Sequence, residues 1–135
     1  MTAALVLAGC SEKTPLALVR VEDTAVFDAS AASEMLEKEI ARGVGNHRAV
    51  VAALMTLAPE SMPATTLLEI TRTPNGLSAT AFFDDLADDD SISGYRYALT
   101  FKETDQRTLK IDDARQSLRC WPDRGHRDFS TKPCI

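Results

Sequence analysis

The sequence predicts an α+β domain in which two N-terminal helical segments pack on an antiparallel β-meander of about four strands. Between residues 28 and 59, apolar residues recur at helical spacing. From Thr65 onward the pattern changes to alternation, which is typical of strands with one buried face. A chain of 135 residues has room for one ordinary domain with a sizeable core.

The first predicted elements are a short strand and a helix. Leu16 to Val21 is apolar and β-branched, which predicts a strand. Asp28 or Ser30 can cap the helix, and Gly43 offers a stop. The apolar positions of this helix are Met35, Leu36 and Ile40.

A second helix is predicted from Asn46, which can cap it, to Pro59, which ends it. This segment is apolar nearly all round, so we expect it to be the central helix of the core. Gly43 and Gly45 would bend the chain between two helices, or would kink one long helix. Two separate segments are the preferred interpretation.

The second half of the chain predicts a β-meander. Thr66 to Thr73 and Leu77 to Phe83 both alternate, and Pro74-Asn75-Gly76 between them is typical of a tight hairpin turn. A third strand is predicted at Gly94 to Lys102, and a fourth near Thr108 to Ile111.

Composition excludes several classes of function. Asp and Glu number 20 against 15 Lys and Arg, so there is no basic stripe for a nucleic-acid partner. No apolar run approaches the roughly 18 to 20 residues of a membrane-spanning helix. No glycine-rich phosphate loop is present in the sequence, and we expect no cofactor.

The stretch Leu7-Ala8-Gly9-Cys10 follows an apolar run and resembles the lipobox of bacterial lipoproteins. The resemblance implies cleavage before Cys10 and acylation of Cys10. Residues 1–9 would then be a signal-peptide remnant, 10–17 a lipidated tether and 18–135 the domain. In lipoproteins, the residue after the acylated cysteine helps to direct the protein to a membrane. Ser11 at that position, rather than Asp, implies the outer membrane, with the domain facing the periplasm. The alternative is that Ala3 to Cys10 is a buried strand or helix turn of a cytosolic domain.

Acylation of Cys10 would leave Cys120 and Cys134 as an even pair. The cell envelope is an oxidising compartment in which a disulfide persists, so we expect these two cysteines to close a C-terminal loop. Closing a loop of about 15 residues stabilises a fold by roughly 3 kcal/mol.

The C-terminal loop is the first candidate site for binding a partner. Aromatic and arginine side chains on a constrained loop are typical of protein interfaces. The alternative is that Trp121 and Phe129 plug the bottom of the sheet while Arg124 and Arg127 pair with nearby aspartates. The candidate residues are Trp121, Arg124, His126, Arg127 and Phe129.

An acidic stretch between two strands is the second candidate. It could dock a basic partner, bind calcium, or act as a solvated turn that blocks edge-to-edge pairing. The central Gly and final Glu of a helix-loop-helix calcium loop are missing, so we expect no calcium site. The residues are Asp84, Asp85, Asp88, Asp89 and Asp90.

Metal binding and catalysis are not expected. Cys120, His126 and Cys134 offer three widely spaced zinc ligands without a fourth, so we expect no zinc site. The expected disulfide would remove a Cys-His nucleophile, and no third residue that would orient the histidine is evident. His47 begins an apolar helix, which favours a boundary residue over a catalytic base.

These observations predict a lipid-anchored protein that works by binding. Its size, its expected location in the cell envelope and its acidity resemble those of immunity proteins and inhibitors that neutralise cell-wall-degrading enzymes. That resemblance implies a protein partner, such as a basic secreted hydrolase or toxin steered by an acidic surface. The alternatives are a small envelope enzyme acting on a glycan or peptide, and a structural or assembly lipoprotein.

Overall fold

The computed structural model describes residues 14–135, so the lipobox, with Cys10 and Ser11, lies outside the described residues. The predicted α+β class is confirmed, with five strands rather than about four. In chain order, the elements are a 3-10 turn (Leu16–Leu18), β1 (Ala25–Val26), α1 (Ser30–Ala41), α2 (Asn46–Met55), β2 (Pro63–Thr73), β3 (Gly76–Leu86), β4 (Ile92–Glu103) and β5 (Leu109–Cys120).

The five strands form one antiparallel sheet in the order β1-β5-β4-β3-β2. Strands β2 to β5 make the expected meander. β1 pairs with the outer side of β5, where Ala25 lies opposite Gln116. β5 continues to Cys120, well beyond the predicted end at Ile111.

The predicted first strand, Leu16 to Val21, is wrong. Residues 16–18 form a 3-10 turn, and Val21 makes only an isolated bridge, to Phe129. The backbone here pairs with the C-terminal loop instead of the sheet. The amide of Phe129 donates to the carbonyl of Arg20 over 2.9 Å, and the amide of Glu22 donates to the carbonyl of Phe129 over 2.8 Å. We call residues 14–24 the N-terminal strap.

Two separate helices are present, and a glycine ends the first of them. The Asp28 carboxylate accepts a hydrogen bond from the Ser30 amide over 2.9 Å at the start of α1. Gly43 follows α1 with φ of +80°, and the Val44 amide donates to the Glu39 carbonyl over 3.0 Å. A left-handed glycine with this hydrogen bond is the usual way to stop a helix.

The second helix covers the same sheet face as the first. Asn46 is its first residue, and its side-chain amide donates to the Arg107 carbonyl over 3.2 Å, which ties α2 to the β4–β5 turn. Val50 and Leu54 are fully buried against the sheet. Within residues 14–135, neither helix is long and apolar enough to cross a membrane.

The β2–β3 hairpin turns at Pro74 and Asn75, with Thr73 opposite Gly76. Neither Asn75 nor Gly76 has a positive φ, so the glycine is not required for its backbone dihedral. A Cβ at Gly76 would lie 2.0 Å from the carbonyl oxygen of Phe101. The close approach of β4 therefore explains this glycine.

Candidate functional site

The sheet face opposite the helices is covered at one end by the C-terminal loop. Phe129 is fully buried there. Its ring centroid lies 5.7 Å from that of Phe82 in β3, and the guanidinium of Arg119 lies 5.9 Å from the Phe129 ring centroid. Phe129 therefore fills the interior between loop and sheet, as the plug interpretation expects.

A buried ion pair lies beside this aromatic contact. Asp84 in β3 and Arg119 in β5 stand on either side of Gly94 in β4, in one cross-strand row. Their side chains are 2 % and 5 % exposed, and Oδ1 of Asp84 lies 3.7 Å from Nε of Arg119. A Cβ at Gly94 would lie 2.3 Å from Oδ1 of Asp84. Because Gly94 has no side chain, the side chains of Asp84 and Arg119 can meet across β4 although their strands are not adjacent.

Ser93 and Arg127 complete a polar cluster around this pair. The Ser93 hydroxyl accepts from Nε of Arg119 over 3.4 Å and from Nη1 of Arg127 over 3.2 Å. Arg127 also donates to the carbonyl of Cys120. Burial, and then the nearby positive charge of Arg119, lower the pKa of Arg127. The cluster therefore anchors the C-terminal loop to β4 and β5.

The predicted disulfide between Cys120 and Cys134 is confirmed, with a Cα–Cα distance of 5.5 Å. Gly125 lies close to it, with φ of +139°. A Cβ there would lie 2.8 Å from Sγ of Cys120. Both its backbone conformation and its proximity to the disulfide require glycine.

His126 lies next to the same disulfide. Its Nδ1 is 2.8 Å from the carbonyl oxygen of Asp128, and its Nε2 is 2.8 Å from that of Lys132. One ring nitrogen of His126 and the sulfurs of Cys120 and Cys134 lie within 4.8 Å of one another. Because the two sulfurs are bonded, they offer no thiolate to a metal ion. This arrangement holds the loop rather than forming an open metal site.

The disulfide loop and the acidic stretch meet at one end of the molecule. Nε1 of Trp121 donates to the carbonyl of Asp89 over 2.7 Å, and the Trp121 amide donates to the carbonyl of Ser91 over 2.9 Å. The Ser91 hydroxyl donates to the carbonyl of Ile135 over 2.8 Å. The Asp89 carboxylate accepts from the amides of Ser91 and Ile92. The two candidate segments therefore form one continuous surface.

We call this the composite surface. It combines exposed side chains from both loops with half-buried ones that hold them in place. Its members are the exposed Asp88, Asp90 and Arg124, and the half-buried Asp89, Trp121 and His126.

The other candidate residues lie elsewhere. Asp84 and Phe129 are interior, and the guanidinium of Arg127 is bonded to the loop backbone and Ser93. The side chain of Asp85 lies near β2, where its carboxylate accepts a hydrogen bond from the Thr65 hydroxyl over 3.0 Å. None of these four side chains belongs to the composite surface.

Sequence reasoning missed Ser93, Gly94 and Arg119, which build the polar cluster. Only Gly94, a glycine at the start of a predicted strand, gave a signal, because glycine inside a strand marks a close approach. No protein-family model, curated protein or solved structure matches this chain.

Proposed function

We propose that this chain is a lipid-anchored, periplasm-facing binding protein that recognises a protein partner through the composite surface. The partner class is a basic secreted hydrolase or toxin, and the role is that of an inhibitor or immunity protein. The observation that carries the proposal is the joining of the acidic loop to the disulfide loop through Trp121.

Rigidity supports binding at this surface. A loop that is already ordered loses little conformational entropy when it binds, so more of the contact energy becomes affinity. The disulfide, the two hydrogen bonds of Trp121 and the bond from Ser91 to Ile135 fix the composite surface before any partner arrives.

Charge supports a basic partner. The chain carries a formal net charge of −5, and Asp88 and Asp90 are exposed at the centre of the acidic loop. Such a field steers a basic protein and raises its association rate. Arg124, on the adjoining loop, would pair with a carboxylate of the partner and fix its orientation.

The anchor follows from the lipobox resemblance. Acyl chains on Cys10 would each contribute about 0.8 kcal/mol per buried methylene, so a multiply acylated protein would stay on the membrane. From Cys10 to Leu16 the chain reaches at most about 20 Å, which would keep the domain near the outer membrane.

The test of recognition is a matched pair of charge-removal variants. The full chain is immobilised in detergent and exposed to periplasmic extract and to secreted proteins. We expect a basic protein to bind, and Asp88→Asn with Asp90→Asn to weaken binding at least about tenfold. Asp105→Asn with Asp112→Asn removes the same charge from exposed positions at the β4–β5 end and should leave binding within about twofold. Equal weakening by both pairs, or no bound protein, would reject the recognition surface.

The anchor is tested separately by mass spectrometry of the protein from the membrane fraction. We expect an acylated Cys10 as the first residue, and loss of the acyl mass in the Cys10→Ser variant. An unmodified Cys10 would reject the anchor and leave the recognition test unaffected.

A further inference from the structure

We propose that a cavity between the N-terminal strap and the C-terminal loop binds a phosphate group. This site is distinct from the composite surface and goes beyond the function proposed above. The cavity has a volume of about 410 Å³, and three arginines line it: Arg20 from the strap, Arg119 from β5 and Arg127 from the C-terminal loop.

The lining has an excess of positive charge. The lining residues include three arginines and one acidic residue, Asp128. Asp84 offsets part of the charge of Arg119 and, with Asp85, part of that of Arg127, but neither residue lines this cavity. In a chain with a net charge of −5, three arginines at one cavity are a local concentration of hydrogen-bond donors with positive charge. Such a concentration favours an anionic ligand.

Arg119 is placed as a donor to a ligand. Its side chain is 5 % exposed, and its ion pair with Asp84 and its hydrogen bond to Ser93 both use Nε. Among residues 14–135, these polar contacts leave the two terminal nitrogens as hydrogen-bond donors. A buried guanidinium whose ion pair is as long as 3.7 Å gains strongly from a second, closer anion.

The position of Arg127 close to Arg119 also favours an anionic ligand, because the two cations repel each other. Arg119 and Arg127 both donate to the Ser93 hydroxyl, so the two cations lie close together. Burial, and then the charge of Arg119, lower the pKa of Arg127, while the carboxylates of Asp84 and Asp85 act in the opposite direction. The negative charge of a phosphate group between the two arginines would offset their repulsion. Its several oxygens also suit the planar, multidentate donors of arginine better than a single carboxylate does.

The position of the cavity along the chain favours a phosphate at a membrane surface. Thr14 lines the cavity, and four residues of extended chain from Cys10 reach at most about 14 Å. Leu18, 74 % exposed, lies beside the arginines and offers an apolar contact. A phospholipid supplies a phosphate in its headgroup and an apolar contact in its acyl chains, and a soluble phosphate ester presents the same anion. The membrane argument rests on the proposed anchor, whereas the affinity for phosphate does not.

The first experiment uses the full chain with Cys10→Ser, so that no attached lipid contributes. Inorganic phosphate is titrated while amide and arginine Nε–H signals are followed by NMR. We expect saturable shifts around Arg20, Arg119 and Arg127 with Kd of about 1 mM. Arg20→Gln, a change at an exposed strap residue, should raise Kd about fivefold, and Arg127→Gln about tenfold or more.

Arg115→Gln is the matched control, because Arg115 is exposed on β5 and pairs with Asp113 away from the cavity. Its Kd should stay within about twofold of the parent. If Arg127→Gln does not fold, Arg20→Gln still decides the outcome. Absence of saturable shifts at these arginines, or equal weakening by Arg20→Gln and Arg115→Gln, would overturn the proposal.

The second experiment separates the two sources of phosphate. If a headgroup is the ligand, the Cys10→Ser chain should sediment with vesicles containing phosphatidylglycerol. Adding Arg20→Gln to this chain should abolish the sedimentation. Phosphate binding without vesicle binding would assign the site to a soluble phosphate ester. Vesicle binding that Arg20→Gln leaves unchanged would count against the cavity. The composite-surface variants at Asp88 and Asp90 should bind phosphate normally, so failure of one proposal is distinguishable from failure of the other.

Discussion

The two faces of the sheet are covered in different ways. The helices bury an apolar cluster of fourteen residues against one face. At the end of the other face, the strap and the C-terminal loop bury Phe129 together with Asp84 and Arg119. The helix-covered face depends on apolar burial, which many sequences could supply. The loop-covered face depends on a few particular bonds, including a disulfide.

This difference indicates which part of a small domain can hold functional side chains in fixed positions. Apolar packing under the helices provides stability without fixing any exposed side chain. Directional contacts on the other face fix the positions of loop residues, at the cost of desolvating charges. The composite surface and the arginine-lined cavity both lie on the side that is held by directional contacts.

The largest effect is expected from two adjacent residues that point to opposite faces. Phe83 is fully buried in the apolar cluster, and Phe82 packs on Phe129 and Arg96 with 4 % exposed. Phe83→Ala should lower the free energy of unfolding by about 3–5 kcal/mol. Phe82→Ala should cost less. Urea titration measures both, and equal losses would mean that the two faces contribute alike.

The next effect concerns the buried ion pair. Asp84→Ala should lower the free energy of unfolding by about 3 kcal/mol, because it leaves the Arg119 cation buried. Combining Asp84→Leu with Arg119→Met removes both charges and should cost less than the single change. A double variant that is less stable than Asp84→Ala would mean that the pair itself is a major source of stability.

A smaller effect is expected at the glycine between the paired side chains. Gly94→Ala would place a Cβ against the Asp84 carboxylate and should cost about 1–3 kcal/mol. Gly45→Ala is the control, because nothing lies within 4 Å of its added Cβ and its φ is −59°. Because Gly45 is also the N-cap of α2, the opposing effects of lower chain entropy and a poorer cap should keep the change in stability within about 1 kcal/mol. Similar results at both positions would contradict the packing argument.

The smallest effect ties the strap to the C-terminal loop through pH. The Asp23 carboxylate accepts hydrogen bonds from the hydroxyl and amide of Thr131 over 2.5 and 2.8 Å. Those bonds, with Ser130, lower the pKa of Asp23 to about 2 from 3.8. The folded state therefore gains stability above pH 3.8 that is lost as the pH falls through 2.

Thermal unfolding at several pH values between 5 and about 1.5 tests this linkage. Asp23→Asn should have a lower Tm than the parent above pH 4, and the difference should shrink as the pH approaches 2. The control is Asp105→Asn, which removes an exposed carboxylate from the β4–β5 turn. A Tm difference for Asp23→Asn that does not change with pH would reject the role of this carboxylate.

Local patterns were enough to predict the two helices, the hairpin at Pro74 and Asn75, and the α+β class. Each depends on periodicity or turn chemistry within a short window. The disulfide followed from counting cysteines, and it too is present. The turn pattern does not explain the hairpin glycine, because a neighbouring strand and not its own backbone requires it.

Non-local pairing could not be predicted. Asp84 belongs to a run of aspartates that indicates a solvated turn, yet it is buried because Gly94 leaves room and Arg119 supplies a cation. Leu16 to Val21 has the composition of a strand, but its backbone bonds to a loop from the other end of the chain. Both outcomes depend on which segments meet in space.

The central claim is that the strap and the C-terminal loop form a layer held by the disulfide and polar contacts, separate from the helix-packed core. Hydrogen exchange of the full chain, before and after reduction of the Cys120–Cys134 bond, tests it most directly. The account predicts that reduction removes amide protection from residues 14–24 and 118–135 and leaves it in α1, α2, β2 and β3. Loss of protection throughout the chain, or no loss in the two terminal segments, would contradict it.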